Sequence, residues 1–118
     1  MKEEITVRVY DIVGGPIFIS AEDGQRVYEK IAPLLREGHR VVLSFSQVET
    51  MISTFLNAAV GQLYREFSED EVRALLTVQE MSQEDMVMLK RVVDNAKSYF
   101  KNPKEFDEAW REEIGDDE

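Results

Sequence analysis

Ser53 and Thr54 are adjacent hydroxyls set just ahead of an apolar-periodic run, Phe55, Leu56, Ala59, Val60, Leu63 and Tyr64. They therefore fall where a helix should begin. A helix start leaves backbone N–H groups free and carries positive potential, which gives a hydroxyl there two uses. It can accept from a free N–H and cap the helix, a role worth roughly 1 kcal/mol, or it can carry a phosphate that the same N–H groups stabilise. Capping by one of the two is the simpler expectation, and the two uses can coexist on neighbouring residues. A phosphate on either would bring about −1.5 to −2 charge into any interface built on this helix, enough to switch binding without refolding. Glu49, Thr50 and Asn57 flank the pair and complete a candidate interaction surface.

Other residues capable of chemistry lack partners in the sequence. His39 is the single histidine and sits beside Gly38 in an expected turn, so a metal site or a Ser-His-Asp triad would be missing its parts. Glu69-Asp70-Glu71 offers neighbouring carboxylates, but adjacent acids in a polar loop solvate it and do not share a proton. Gly14-Gly15 has neither the further glycine nor the lysine of a phosphate-binding loop. There is no cysteine, which removes disulfides, thiolate metal sites and thiol nucleophiles. The expectation is a protein that is not an enzyme and holds no metal or cofactor.

The elements that would position the hydroxyls can be read in order. Ile5–Tyr10 alternates apolar and polar residues as a half-buried strand does, Gly14-Gly15-Pro16 reads as a turn, and Ile17-Phe18-Ile19 as a second strand paired antiparallel with the first. Ser20-Ala21-Glu22-Asp23 starts a helix whose Val27, Ile31, Leu34 and Leu35 share a face, with Pro33 loosening its last turn and Gly38 ending it. Arg40–Phe45 is a nearly continuous apolar run suited to a central strand. The second helix follows Ser46–Thr54, and Gly61 within it marks close packing. Ser68–Glu71 reads as a polar connection and Val72–Gln79 as a fourth strand. Ser82–Asp85 opens a third helix with Met86, Leu89, Val93, Ala96 and Phe100 on its apolar stripe, and Asn102-Pro103 breaks it. The expected order, β-β-α-β-α-β-α-α, makes a single α/β domain with a mixed four-stranded sheet, strands two to four being parallel.

Size and charge bound the function. At 118 residues the chain should form one domain, residues 1–100, followed by residues 101–118 as a short amphipathic helix and acidic tail. That tail carries three bases against eight acids. Its Phe106, Trp110 and Ile114 form a stripe that needs cover, from the domain itself, from a partner, or from a second copy in a homo-oligomer. A net charge of −10 argues against nucleic acid, which demands a concentrated basic face. Met1-Lys2-Glu3-Glu4 opens no secretory leader and no apolar run approaches the ~20 residues of a membrane span, so a cytoplasmic protein is expected.

Four ordered blocks resemble the STAS-like domain of unknown function, a distant relative of the STAS domains of anti-sigma-factor antagonists and sulfate transporters. They are Gly15–Ser20, Val41–Val48, Ile52–Asn57 with Gly61-Gln62-Leu63, and Met81–Asp85 with Leu89–Lys97. The resemblance covers most of the chain and implies a STAS-like fold. In antagonist-type STAS domains, Asp-Ser-Ser/Thr-Gly follows the central strand, and a hydroxyl in it is phosphorylated by a partner that is both kinase and anti-sigma factor. Ser53 and Thr54 stand at the two hydroxyls, while Ile52 replaces the Asp and Phe55 the Gly. The resemblance implies a protein-interaction module of bacterial or phage regulation, with Ser53 or Thr54 as phosphoacceptor and a kinase-like ATPase or anti-sigma-type regulator as partner. The alternative is a small-molecule or nucleotide sensor at the same helix start, where the carboxyl ends of parallel strands form a crevice.

Overall fold

A computed structural model describes residues 3–101. Three strands form a parallel sheet in the order β1-β3-β5: β1 (Glu4–Arg8), β3 (Arg40–Ser44) and β5 (Leu76–Gln79). Val7 lies opposite Leu43, and Leu43 opposite Val78. Two further strands, β2 (Ile17–Phe18) and β4 (Thr50–Met51), pair in parallel as a separate small sheet. The antiparallel pairing of the first two strands, and with it the mixed four-stranded sheet, is therefore replaced by two parallel sheets. The cause lies between them. Val9–Val13 forms a short helix, α1, which puts Val9 wholly in the core and is closed by Gly14 at φ +89°, its N–H donating to the Tyr10 carbonyl at 2.8 Å. The glycine that reads as a hairpin turn is a helix terminator.

Alternation along the main sheet sorts its two faces. Val7, Val41 and Leu43 point into the core, with Ile5, Leu76 and Val78 beside them. The opposite face carries Thr6, Val42 and Thr77 in one row across the strands. Thr6 and Thr77 are exposed, and Val42 between them is buried outside the main core cluster. The core side is filled by α2 (Ala21–Arg36), the helical run from Ser53 to Glu66, and α6 (Gln83–Lys101). Ser20 caps α2 by accepting from Asp23 N–H at 3.0 Å. The helix passes through Pro33 and ends in paired bonds, Gly38 N–H to Leu35 O and His39 N–H to Leu34 O, with Gly38 at φ +84°.

The run from Ser53 to Glu66 is not a uniform helix. α3 (Ser53–Leu56) passes into a π-helical turn at Asn57–Gly61 and resumes as α4 (Leu63–Glu66). Phe55, Leu56, Ala59, Val60 and Leu63 are all buried, as their spacing requires. The chain from Glu69 to Leu75, expected as connection and strand, is instead α5, and only Leu76–Gln79 is extended. A reciprocal capping box fixes its start. Glu71 N–H donates to Ser68 Oγ at 3.1 Å and Ser68 N–H to Glu71 Oε1 at 2.8 Å. On α6 the buried stripe centres on Val92 and Ala96, and Met86, assigned to it from spacing, is 44% exposed near the helix start.

Candidate functional site

The hydroxyl pair is positioned by β2, β4 and three phenylalanines. Register sets Ile17 opposite Thr50 and Phe18 opposite Met51, and Ile52 N–H donates to Phe18 O at 3.2 Å. Side chains alternate across a strand, so Phe18 and Met51 turn inward while Ile17, Ile19, Thr50 and Ile52 turn outward. Phe18 is fully buried, stacked on Phe55 at 5.2 Å between ring centroids and tilted against Phe45 at 6.3 Å. This aromatic group joins the small sheet to the end of β3 and the start of α3. Outside it, Ile17, Ile19 and Ile52 remain 42%, 45% and 42% exposed. These three isoleucines escape sequence reasoning because the pairing that aligns them joins segments far apart in the chain. The only local signal is the alternation Ile17-Phe18-Ile19.

α3 begins at Ser53 with Ile52 as its N-cap, and no side chain caps it. The first turn closes on the backbone alone, Phe55 N–H reaching Ile52 O at 3.2 Å. Capping by Ser53 or Thr54, the simpler expectation, is thus overturned. The chain register places the two hydroxyls one and two residues past the cap, where they cannot reach back across it. Both are half-buried, and neither makes a hydrogen bond to another described residue. Glu49 and Thr50 are exposed beside them, and Glu49 N–H is held by Pro16 O at 2.8 Å. Asn57 departs from the expected surface: it is 5% exposed, because the π turn it opens packs against both α2 and α6. Phe106, Trp110 and Ile114 lie outside the described residues, as does the acidic tail after Lys101.

The crevice at the carboxyl ends of β3 and β5 holds about 510 Å³. Its walls include Ser46, Gln47, Glu49, Glu80, Glu84 and Asp85, with Gln47 and Glu80 at positive φ. Four carboxylates around one opening repel the phosphates a nucleotide would bring. Among the described residues no three His, Asp or Glu side chains are grouped to hold a metal ion. His39 is half-buried, its Nε2 3.3 Å from Glu37 Oε1 and its Nδ1 enclosed without a partner. No helix among the described residues is long and apolar enough to cross a membrane.

Two charge clusters bind the helices together away from this site. Arg36, at the end of α2, holds Glu66 at the end of α4 through two bonds, one of them 3.0 Å long. Those bonds keep the Glu66 carboxyl below the ordinary glutamate range and raise Arg36. Lys97 on α6 donates to Glu69 at 2.8 Å, which lowers the Glu69 carboxyl in the same way.

A family model described as a STAS-like domain of unknown function matches residues 23–86, from the first turn of α2 to the first turn of α6. No curated protein and no solved structure matches the chain. The matched stretch spans β3, β4, the hydroxyl pair and β5 in one run, and so takes in most of the architecture around the site. The chain belongs to the STAS-like domain family.

Proposed function

We propose that the chain is a non-enzymatic protein-interaction module that works through the outer face of β2 and β4, with Ser53 or Thr54 as its modifiable hydroxyl. The observation that carries this reading is the exposed face of Ile17, Ile19 and Ile52 directly beside two hydroxyls that pair with no other described residue. Parallel strands ordinarily have both faces covered, so an apolar outer face on β2 and β4 is a surface fitted to a partner. Residues 16–25 and 47–58 contain Glu22, Asp23 and Glu49 but no lysine or arginine. A phosphate on Ser53 would therefore meet no basic side chain from either segment and would make the rim of an apolar contact strongly negative, whereas one on Thr54 would share its cavity with Arg65. By its family the module suits a regulatory setting, with another protein as partner and a kinase-like ATPase or anti-sigma-type regulator as the first to try.

The test is a pull-down and titration with the product of a neighbouring gene of that kind. Ile52→Asp should lose at least about tenfold in affinity, as a central apolar anchor does. Thr54→Glu or Ser53→Glu should weaken the complex while the alanine variants keep it. Equal affinity for Ile52→Asp, both Glu variants and the parent chain would overturn the reading.

A further inference from the structure

Thr54, Asn57, Ala58, Gln62 and Arg65 recur at three- and four-residue steps along the run that contains the π turn, so they share one side of it. That side meets Ala21, the first residue of α2, and Phe100 near the end of α6, and the seven residues enclose a cavity of about 250 Å³. It includes none of the three exposed isoleucines but shares Thr54 with the surface beside them. Its polar groups are donors short of acceptors. Asn57 is almost completely buried, and its Nδ2 has no hydrogen-bond partner and no contact with solvent. Arg65 lies over the Phe100 ring at 5.7 Å and makes no ion pair with a described residue. The Thr54 hydroxyl has no partner among the described residues, whereas Gln62 Nε2 is already spent on Gln25 Oε1 at 2.6 Å and Ala58 O at 2.7 Å. Ala21 adds the positive end of a 16-residue helix. The remaining wall, Ala58 and the Phe100 ring, is apolar.

We infer that this cavity binds a small organic carboxylate with a compact apolar body. The carboxylate takes the charge of Arg65 and the hydroxyl of Thr54, and it meets the Asn57 amide once that side chain turns toward the cavity whose wall it forms. The body packs on Phe100 and Ala58. The chain's net charge of −10 does not forbid an anion here, because charges more than about 8 Å away are largely screened at physiological salt. Of the acids that follow Ala21 in the chain, Asp23 is occupied by Arg26 at 3.2 Å and Glu22 is exposed. A π turn beside an orphaned donor is also a common mark of a functional position.

The experiment is a titration of the full-length, ¹⁵N-labelled chain with sodium benzoate, using benzyl alcohol as the neutral probe of the same shape. Benzoate should move the Asn57 side-chain amide pair and the backbone amides of Ala58 and Arg65 saturably. Benzyl alcohol, and benzoate on Arg65→Gln, should bind at least about tenfold more weakly, the effect of losing one charged hydrogen bond. If Asn57→Ala does not fold, Arg65→Gln and Thr54→Val carry the comparison. The inference fails if benzoate moves none of these signals, or if Arg65→Gln responds like the parent. It fails too if benzyl alcohol binds as well as benzoate, or if the Asn57 amide stays fixed on a trapped water throughout. The Ile52→Asp and Ser53→Glu tests use no residue of this cavity, so they decide the first reading separately, while Thr54 belongs to both.

Discussion

Gly24 lies where α2 crosses the helical run at its closest. A Cβ built there would run into the Phe55 carbonyl oxygen, lie 2.8 Å from Ala58 Cβ and 3.1 Å from Ala59 N. Two of those three neighbours are backbone atoms that cannot swing aside, so Gly24→Ala should destabilise by about 1 to 3 kcal/mol through overpacking. Urea unfolding would show it as a lower midpoint at unchanged slope. This demand was invisible in the sequence, where Gly61 attracts the packing argument instead. The apolar positions were legible, because burial of Phe55, Leu56, Ala59, Val60 and Leu63 follows from spacing alone. Asn57 was not. Its side of the run lies against the start of α2 and the end of α6, a tertiary contact that spacing within the run does not encode.

Among the elements, α5 shows what local signals decide. Ser68 and Glu71 stand three apart, the spacing of a capping box, and the box forms with both hydrogen bonds present. Ser68→Ala should cost about 1 kcal/mol, measured by thermal or urea unfolding, since only the hydroxyl half of the box is lost. The apolar run at Ala74–Val78 concealed this helix, because its β-branched and aliphatic residues read as strand from their first member. Strand partners were the least legible feature. Ile17 pairs with Thr50 and Glu4 with Arg40, separations that no local pattern encodes, and a glycine pair after a strand suggests the nearer partner. The fold class and all three long helical regions were readable. The division into two sheets was not.

Across the whole molecule, acid should be the condition that loosens the packing of the helices. Glu66 and Glu69 are held below their ordinary value of 4.5 by Arg36 and Lys97. A carboxyl lowered on folding contributes stability that is present above its unfolded value and is lost as pH falls through the folded one. Unfolding followed from pH 7 down to about 3 should therefore show a decline beginning near 4.5 and continuing below it. The double variant Glu66→Gln, Glu69→Gln should flatten that decline relative to the parent. Many other acids lose charge over the same range and relieve repulsion in a chain of net charge −10, so the difference between the two proteins is the measure.

The outer edge of the main sheet offers experimental access. Thr77 stands exposed on the outermost strand there, across from Val42, with its backbone fixed in the ladder beside β3. The chain has no thiol of its own, so Thr77→Cys would supply a unique attachment point for a spin label or fluorophore. A dye fixed at that spot would ride on a hydrogen-bonded strand and report distances to a docked protein from outside the isoleucine face.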